Sequence, residues 1–277
     1  MSKQYLRGAV LGSPIAHSLS PLLHKAAFKA LGISGEYTAI EVKGGGLQKF
    51  LEQRGDEFDY LSLTMPLKEE VLELQSSDKV IVKVDELGKR IQSINTLVKT
   101  GDGWSATSTD GSGFVKSLAN AGYERFESVL VLGAGGTARA VAGALDDIAT
   151  SVDVMRRSVR RSPAIAACFR NIECEFLDWD DSTDLSGYDL VVNTTPSGAA
   201  DLVADNLSRN IKGLLFDVLY KPWPTLLARR WSDSGGKTIS GLELLLYQGI
   251  DQLSLVTDFA GKAIDKDLRL ALANATN

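Results

Sequence analysis

The run Val129-Leu130-Val131-Leu132-Gly133-Ala134-Gly135-Gly136-Thr137-Ala138-Arg139-Ala140 decides how this chain folds. Four consecutive branched aliphatic residues read as a strand buried on both faces, and they feed directly into glycines and then into a helical pattern. Gly133 suits the tight turn, Gly135 lets a backbone approach a pyrophosphate, and Ala138 lets helix and strand pack closely. The helix N-terminus then faces the anion. A glycine turn by itself can serve packing alone; a strand before it and a helix after it make Gly133, Ala134, Gly135, Gly136 and Thr137 a candidate dinucleotide cradle.

The end of the next strand bears on which dinucleotide. Asp153 lies 20 residues beyond Gly133, about where an acid holds the ribose 2′-hydroxyl of NAD. The chain then runs into Arg156-Arg157-Ser158, with Arg160 and Arg161 following. Such a concentration of arginine in an acidic chain predicts a local anion site, and the 2′-phosphate of NADP is its natural occupant because guanidinium grips phosphate through paired hydrogen bonds. A solvated loop is the other reading of the same run.

Working outward, strands are expected at 129–132, 152–155, 189–193 and 213–218, with helices at 137–147 and 162–170 between them. Upstream the rhythm is the same: strands at 5–11, 36–42, 60–65 and 91–98, helices at 21–31 and 68–74, and a charged connection over 76–86. Residues 111–121, 241–258 and 265–273 carry helical spacing. Alternation of this kind predicts α/β architecture with mainly parallel sheets, and a domain boundary near 101–110. At 277 residues the chain has room for about two domains.

The composition narrows the function classes. Lys and Arg total 30 against 35 Asp and Glu, a net charge of −5, which supplies no basic face for nucleic acid. Two cysteines and two histidines give no disulfide framework and no multi-histidine metal site, so no metal is expected and proton chemistry falls to lysine and carboxylates. No apolar run is long enough for a membrane span, and the N-terminal Met1 to Gln4 leads into no signal-peptide core; a cytoplasmic protein is expected.

Four clusters in the first half carry polar residues at strand ends. Residues 12–21 spell G-S-P-I-A-H-S-L-S-P, where Ser18 and Ser20 could donate to a carboxylate, or Ser20 could cap a helix starting at Pro21. Residues 64–68 spell T-M-P-L-K; taken alone, Lys68 past a strand end is a surface charge. Ser93-Ile94-Asn95-Thr96 and Thr107-Ser108-Thr109-Asp110-Gly111 follow. His17 and His24 read as local hydrogen-bonders.

Together with N-T-T-P-S-G at 193–198, D-V-L-Y-K-P-W-P-T at 217–225 and G-x-x-L-L-x-x-Q-G at 241–249, these motifs in this order resemble the shikimate dehydrogenase family from residue 8 to about residue 260. The resemblance implies reversible NADP-dependent reduction of 3-dehydroshikimate to shikimate. It also implies two α/β domains with a cleft between them: a discontinuous substrate domain with a mainly parallel sheet (1–105 and 239–277) and a Rossmann-type NADP-binding domain (106–238). Matched position by position, Lys68 and Asp110 are the catalytic pair. Ser18 and Ser20 hold the substrate carboxylate, and Thr64, Asn95, Tyr220 and Gln248 meet the rest of the substrate. Arg157 and Ser158 match the last two positions of the family's asparagine-arginine-threonine signature for the 2′-phosphate, and Arg156 replaces its asparagine. Ser108 stands where the family usually has asparagine, and Ser62-Leu63 and Ser93-Ile94 also depart from the common pattern. The alternatives are a quinate/shikimate dehydrogenase using NAD(P) and a non-catalytic dinucleotide-sensing homologue. The expected partner is the small-molecule substrate, with the chain a monomer or homodimer.

Overall fold

The computed structural model describes residues 5–259 and 264–276; Met1 to Gln4, on which part of the targeting expectation rests, lie outside them. The chain divides into two compact units, residues 1–113 with 245–277, and residues 114–244. Both are α/β.

The first unit begins with β1 (Leu6–Gly12), α1 (Ser20–Leu31), β2 (Gly35–Glu41), α2 (Leu47–Arg54), β3 (Tyr60–Leu63), α3 (Leu67–Glu70), β4 (Val82–Val84), α4 (Glu86–Ile91), β5 (Thr96–Thr100) and β6 (Gly103–Thr107). Its sheet has the order β2-β1-β3-β5-β6-β4. The pairs β1·β2, β1·β3 and β4·β6 are parallel, while β3·β5 and β5·β6 are antiparallel. That mixture matters for function. Because β5 runs against its neighbours, its start lies at the same edge of the sheet as the ends of β1, β3 and β6. Residues just after Gly12, after Leu63, before Thr96 and after Thr107 therefore share one edge, although up to about a hundred positions separate them in sequence.

Several differences from the sequence reading have local causes. The stretch 91–98 is not one strand: Asp85 accepts from the Gly88 backbone N–H at 2.7 Å and caps α4, which delays β5 to Thr96. Within the charged connection, Val82 and Val84 are buried and only Lys83 faces out, so a three-residue edge strand hides among charges. β6 lies where a domain boundary was expected, and pairs with β5 as a hairpin. The core on one face gathers Leu11, Leu47, Leu61, Leu67, Ile94, Leu97 and Trp104.

α5 (Asp110–Asn120) carries the chain into the second unit, which contains β7 (Phe126–Leu132), α6 (Gly136–Leu145), β8 (Ala149–Arg156), α7 (Ser162–Ala166), β9 (Glu175–Asp178), β10 (Leu190–Asn193), α8 (Asp201–Asp205), β11 (Leu214–Asp217), α9 (Leu226–Asp233) and β12 (Lys237–Ser240). All its strand pairs are parallel, in the order β12-β11-β10-β7-β8-β9. Numbered from β7, that is 3-2-1-4-5-6 read from the β9 edge, the doubly wound order of Rossmann domains. The order reverses between β7 and β10, and the carboxyl ends of those two strands flank the ligand crevice of such sheets. α10 (Gly241–Val256) returns the chain to the first unit, where α11 (Asp265–Thr276) ends it. The unit divisions fall inside α5 and α10 rather than in loops. Among the described residues no helix is long and apolar enough to cross a membrane.

Candidate active site

In the first unit the shared sheet edge collects the polar clusters. Thr64 N–H donates to Leu11 O at 2.9 Å and Ser13 N–H to Met65 O at 2.9 Å, which joins the loop after β1 to the loop after β3. Leu63 N–H donates to Asn95 O, Asn95 N–H to Thr107 O and Ile94 N–H to Lys68 O, at 2.8, 3.2 and 2.8 Å. Lys68 rides on the single turn of α3 and Asp110 opens α5, where the helix N-terminus favours a carboxylate.

Lys68 Nζ donates to Asp110 Oδ2 at 2.5 Å, with both side chains largely buried (16% and 7% exposed). Asp110 Oδ1 accepts from Asn95 Nδ2 at 2.7 Å. The same Nδ2 lies 3.0 Å from Thr109 Oγ1 and 3.3 Å from Gln248 Oε1. An amide nitrogen has two protons for these three acceptors, so a hydroxyl entering the site can displace one of them without leaving a buried group unpaired. Gln248, on α10, is fixed from behind by its Nε2 donating to Leu245 O at 2.9 Å.

Ser18 and Ser20 stand at the start of α1. Ser20 is the first helical residue and not the cap; its N–H donates to Ser18 Oγ at 3.3 Å, so the hydroxyl that serves the helix start is Ser18's. Thr64 is half-buried beside Leu11 and Met65. The structure thus collects Thr64, Lys68, Asn95 and Asp110 at one sheet edge, with Gln248 on α10 reaching Asn95, while Tyr220 belongs to the second unit.

The glycine turn has the form its sequence requires. Gly133 has φ +104°, open only to glycine, and a Cβ there would come within 2.7 Å of Thr194 Oγ1. Gly135 differs. Its backbone is one any residue adopts (φ −87°, ψ −170°), and a Cβ built on it meets nothing within 4 Å. Nothing in the chain demands glycine at 135, so the space in front of it is open to a ligand. Gly135 provides no side-chain cap to α6, whose first N–H groups point out of the helix end. This cradle fits a dinucleotide pyrophosphate.

The arginine run separates into unlike parts. Arg156 is buried: its Nε donates to Ser162 Oγ at 2.8 Å, and its Nη1 to Leu177 O at 3.1 Å and to the Asp178 carboxylate. These bonds tie β8 to β9. Arg157 is exposed, stacked 5.0 Å over the Trp179 ring, with Nη2 donating to Ala199 O at 3.2 Å. Arg161 reaches back to Ala134 O in the glycine turn at 3.3 Å. Asp153 is not at a strand end; it accepts from the Tyr188 hydroxyl at 2.5 Å.

Residues 10–97 match the family model described as the shikimate dehydrogenase substrate binding domain. A shikimate dehydrogenase (NADP(+)) of Methanosarcina mazei is 38% identical over 266 residues, covering 90% of this chain and 91% of that protein. The corresponding enzyme of Exiguobacterium sibiricum is 32% identical over 253 residues with the same coverage. The chain belongs to the shikimate dehydrogenase family. A family structure from Thermus thermophilus, solved with NADP(H) and shikimate, superposes with a TM-score of 0.78 at 31% identity, covering 96% of this chain and 99% of that one. Family membership makes the chain an oxidoreductase of the shikimate pathway with a Rossmann fold.

Two features of this family member were not legible as parts of the site. Asp217, fully buried, accepts from Asn193 Nδ2 (3.1 Å), Thr225 Oγ1 (2.7 Å) and Leu219 N–H (3.1 Å), and so locks the N-T-T-P and D-V-L-Y motifs together. Burial pushes its carboxyl up, and those three donors pull it down. Gln252 on α10 is the other, one turn beyond Gln248; only its helical spacing could have pointed to it.

Proposed function

We propose that the chain is an NADP-dependent shikimate dehydrogenase, interconverting 3-dehydroshikimate and shikimate. The observation that carries this reading is the Lys68 ammonium held at 2.5 Å on one oxygen of Asp110 while Asn95 holds the other. NADP, when bound, supplies or accepts the hydride at the carbinol carbon. Lys68 moves the proton at the oxygen of that carbon, giving it in reduction and taking it in oxidation. Asp110 keeps the amine in place through their hydrogen bond. Asn95, Thr64 and Gln248 offer groups that both donate and accept, as a polyol requires, and Ser18 and Ser20 receive the carboxylate beside the start of α1.

The backbone of Gly133, Ala134, Gly135, Gly136 and Thr137 holds the pyrophosphate at the α6 N-terminus. Arg157 and Ser158 meet the 2′-phosphate. Arg156, engaged with Ser162, Leu177 and Asp178, acts from beneath by fixing the end of β8. The engagement of Asp153 with Tyr188 favours NADP over NAD, since it takes that carboxylate away from a ribose hydroxyl.

The test is the near-ultraviolet absorbance of reduced nicotinamide on mixing the protein with shikimate or quinate and NADP⁺ or NAD⁺. Signal chiefly with shikimate and NADP⁺ is expected. Equal signals with quinate and NAD⁺ would move the assignment to a quinate/shikimate dehydrogenase, and silence in every mixture would leave a dinucleotide-sensing protein.

A further inference from the structure

Behind the Lys68–Asp110 pair lies a chain of buried hydrogen bonds whose donor directions are all fixed. Asn95 O, a backbone carbonyl, only accepts, so the Gln252 amide must turn its nitrogen toward it (3.2 Å) and its oxygen toward Ser62. Ser62 Oγ therefore donates to Gln252 Oε1 at 2.8 Å, and Tyr37 supplies the proton that Ser62 accepts, at 2.5 Å. Burial pushes the Tyr37 phenol well up, with the Ser62 contact opposing, and it remains a donor at any working pH.

In the other direction Gln252 Nε2 donates to Thr96 Oγ1 at 2.9 Å. The single Thr96 proton must then go to Asn95 Oδ1, 2.7 Å away, which also accepts from Thr109 N–H at 2.8 Å. Asn95 is left with its nitrogen facing Asp110 Oδ1, and Asp110 with Oδ2 facing Lys68. Gln252 is 1% exposed and Thr96 fully buried, so water offers neither group an alternative partner.

We propose that Gln252 is a positioning residue for the proton-transfer pair: through Thr96 it orients the Asn95 amide, which holds Asp110 so that its free oxygen meets Lys68. The proposal rests on the functional reading of Lys68 and Asp110 given above, and adds a residue that touches neither of them. Tyr37 and Ser62 anchor the far end and fix the sense of the chain.

The test uses Gln252→Met, close in shape but without the amide, and Thr96→Val, which keeps the volume and removes the relay hydroxyl. Two readouts separate positioning from packing. The first is the rate at which Lys68 is acetylated by acetic anhydride, followed by peptide mass spectrometry and independent of turnover. The second is the split between kcat and KM for shikimate with NADP⁺. Loss of one oriented hydrogen bond predicts acetylation faster by about fivefold and kcat lower by about fivefold, with KM within about twofold of the parent. Tyr37→Phe, which spares the Gln252–Thr96–Asn95 part, is expected to have the smallest effect. Parental Lys68 acetylation in folded Gln252→Met or folded Thr96→Val protein overturns the proposal; if one variant fails to fold, the other decides. Absence of shikimate oxidation in the parent would remove the functional reading, while the acetylation comparison would still decide the positioning role.

Discussion

Acidification should loosen the first unit through a single side chain, His24. It lies on α1 with no exposure, stacked on Tyr37 (ring centroids 3.9 Å, interplanar angle 3°), and its Nδ1 shares a hydrogen bond of 2.8 Å with the Tyr60 hydroxyl. Burial drives its pKa from 6.5 down to about 3, the Gln252 side chain opposing in part. The unfolded chain then binds a proton at His24 near pH 6.5, whereas the folded chain refuses it until about pH 3. The His24 contribution to stability is fully present above pH 6.5 and is lost progressively as pH falls through this window. At pH 5 protonation lowers the free energy of the unfolded state by RT ln(1 + 10^1.5), about 2 kcal/mol, against almost nothing at pH 7.5. His24→Gln abolishes the titration. A chain of two units need not unfold in one transition, so the assay is urea unfolding with pulsed deuterium labelling of the peptide that covers α1. The stability difference between parent and His24→Gln should shrink by about 2 kcal/mol from pH 7.5 to pH 5. A difference that stays flat within about 0.5 kcal/mol would mean that the folded protein admits the proton, and the reasoning from burial would fail.

Three further outcomes follow from the site. Lys68→Ala should lower kcat for shikimate oxidation on the order of 10²-fold while NADP binding, measured by fluorescence titration, stays near the parent value; full turnover would remove Lys68 from the mechanism. Gly135→Ala should fold, at a cost of no more than about 1 kcal/mol for alanine at the α6 cap, because the added methyl meets nothing in the chain, yet raise KM for the cofactor by about tenfold or more; an unchanged KM would mean that no ligand backs onto Gly135. Arg157→Ala should raise KM for NADP by about tenfold and leave KM for NAD alone, whereas Arg156→Ala should cost about 1 to 2 kcal/mol of stability and affect both cofactors alike. Equal effects of Arg157→Ala on the two cofactors would exclude a phosphate contact.

The strand-turn-helix around Gly133 was legible because every part of it is local: the apolar run, the glycine that needs positive φ and the helix follow one another within a dozen residues. The edge elements were harder. β4 is three residues long in a charged stretch, and β9, β12, α8 and α9 are of four to eight residues, too short for periodicity to rise above composition. The arginine run shows the same limit in the site, since composition cannot say that Arg156 turns into the sheet to meet Asp178 while Arg157 stays outside over Trp179.

Sequence alone determined the family, the α/β alternation, the cofactor turn and the residue types that make up the site, because these are properties of short segments and of their order. Tertiary structure decided which of those segments meet. The antiparallel course of β5 brings Asn95 to the sheet edge of Lys68 and Asp110, and α10 carries Gln248 to Asn95 from more than 150 positions away. It also decided the directions of the hydrogen bonds. A serine, a glutamine and a threonine can each donate or accept until burial fixes their partners, and it is that loss of choice which ties Gln252 to Asp110.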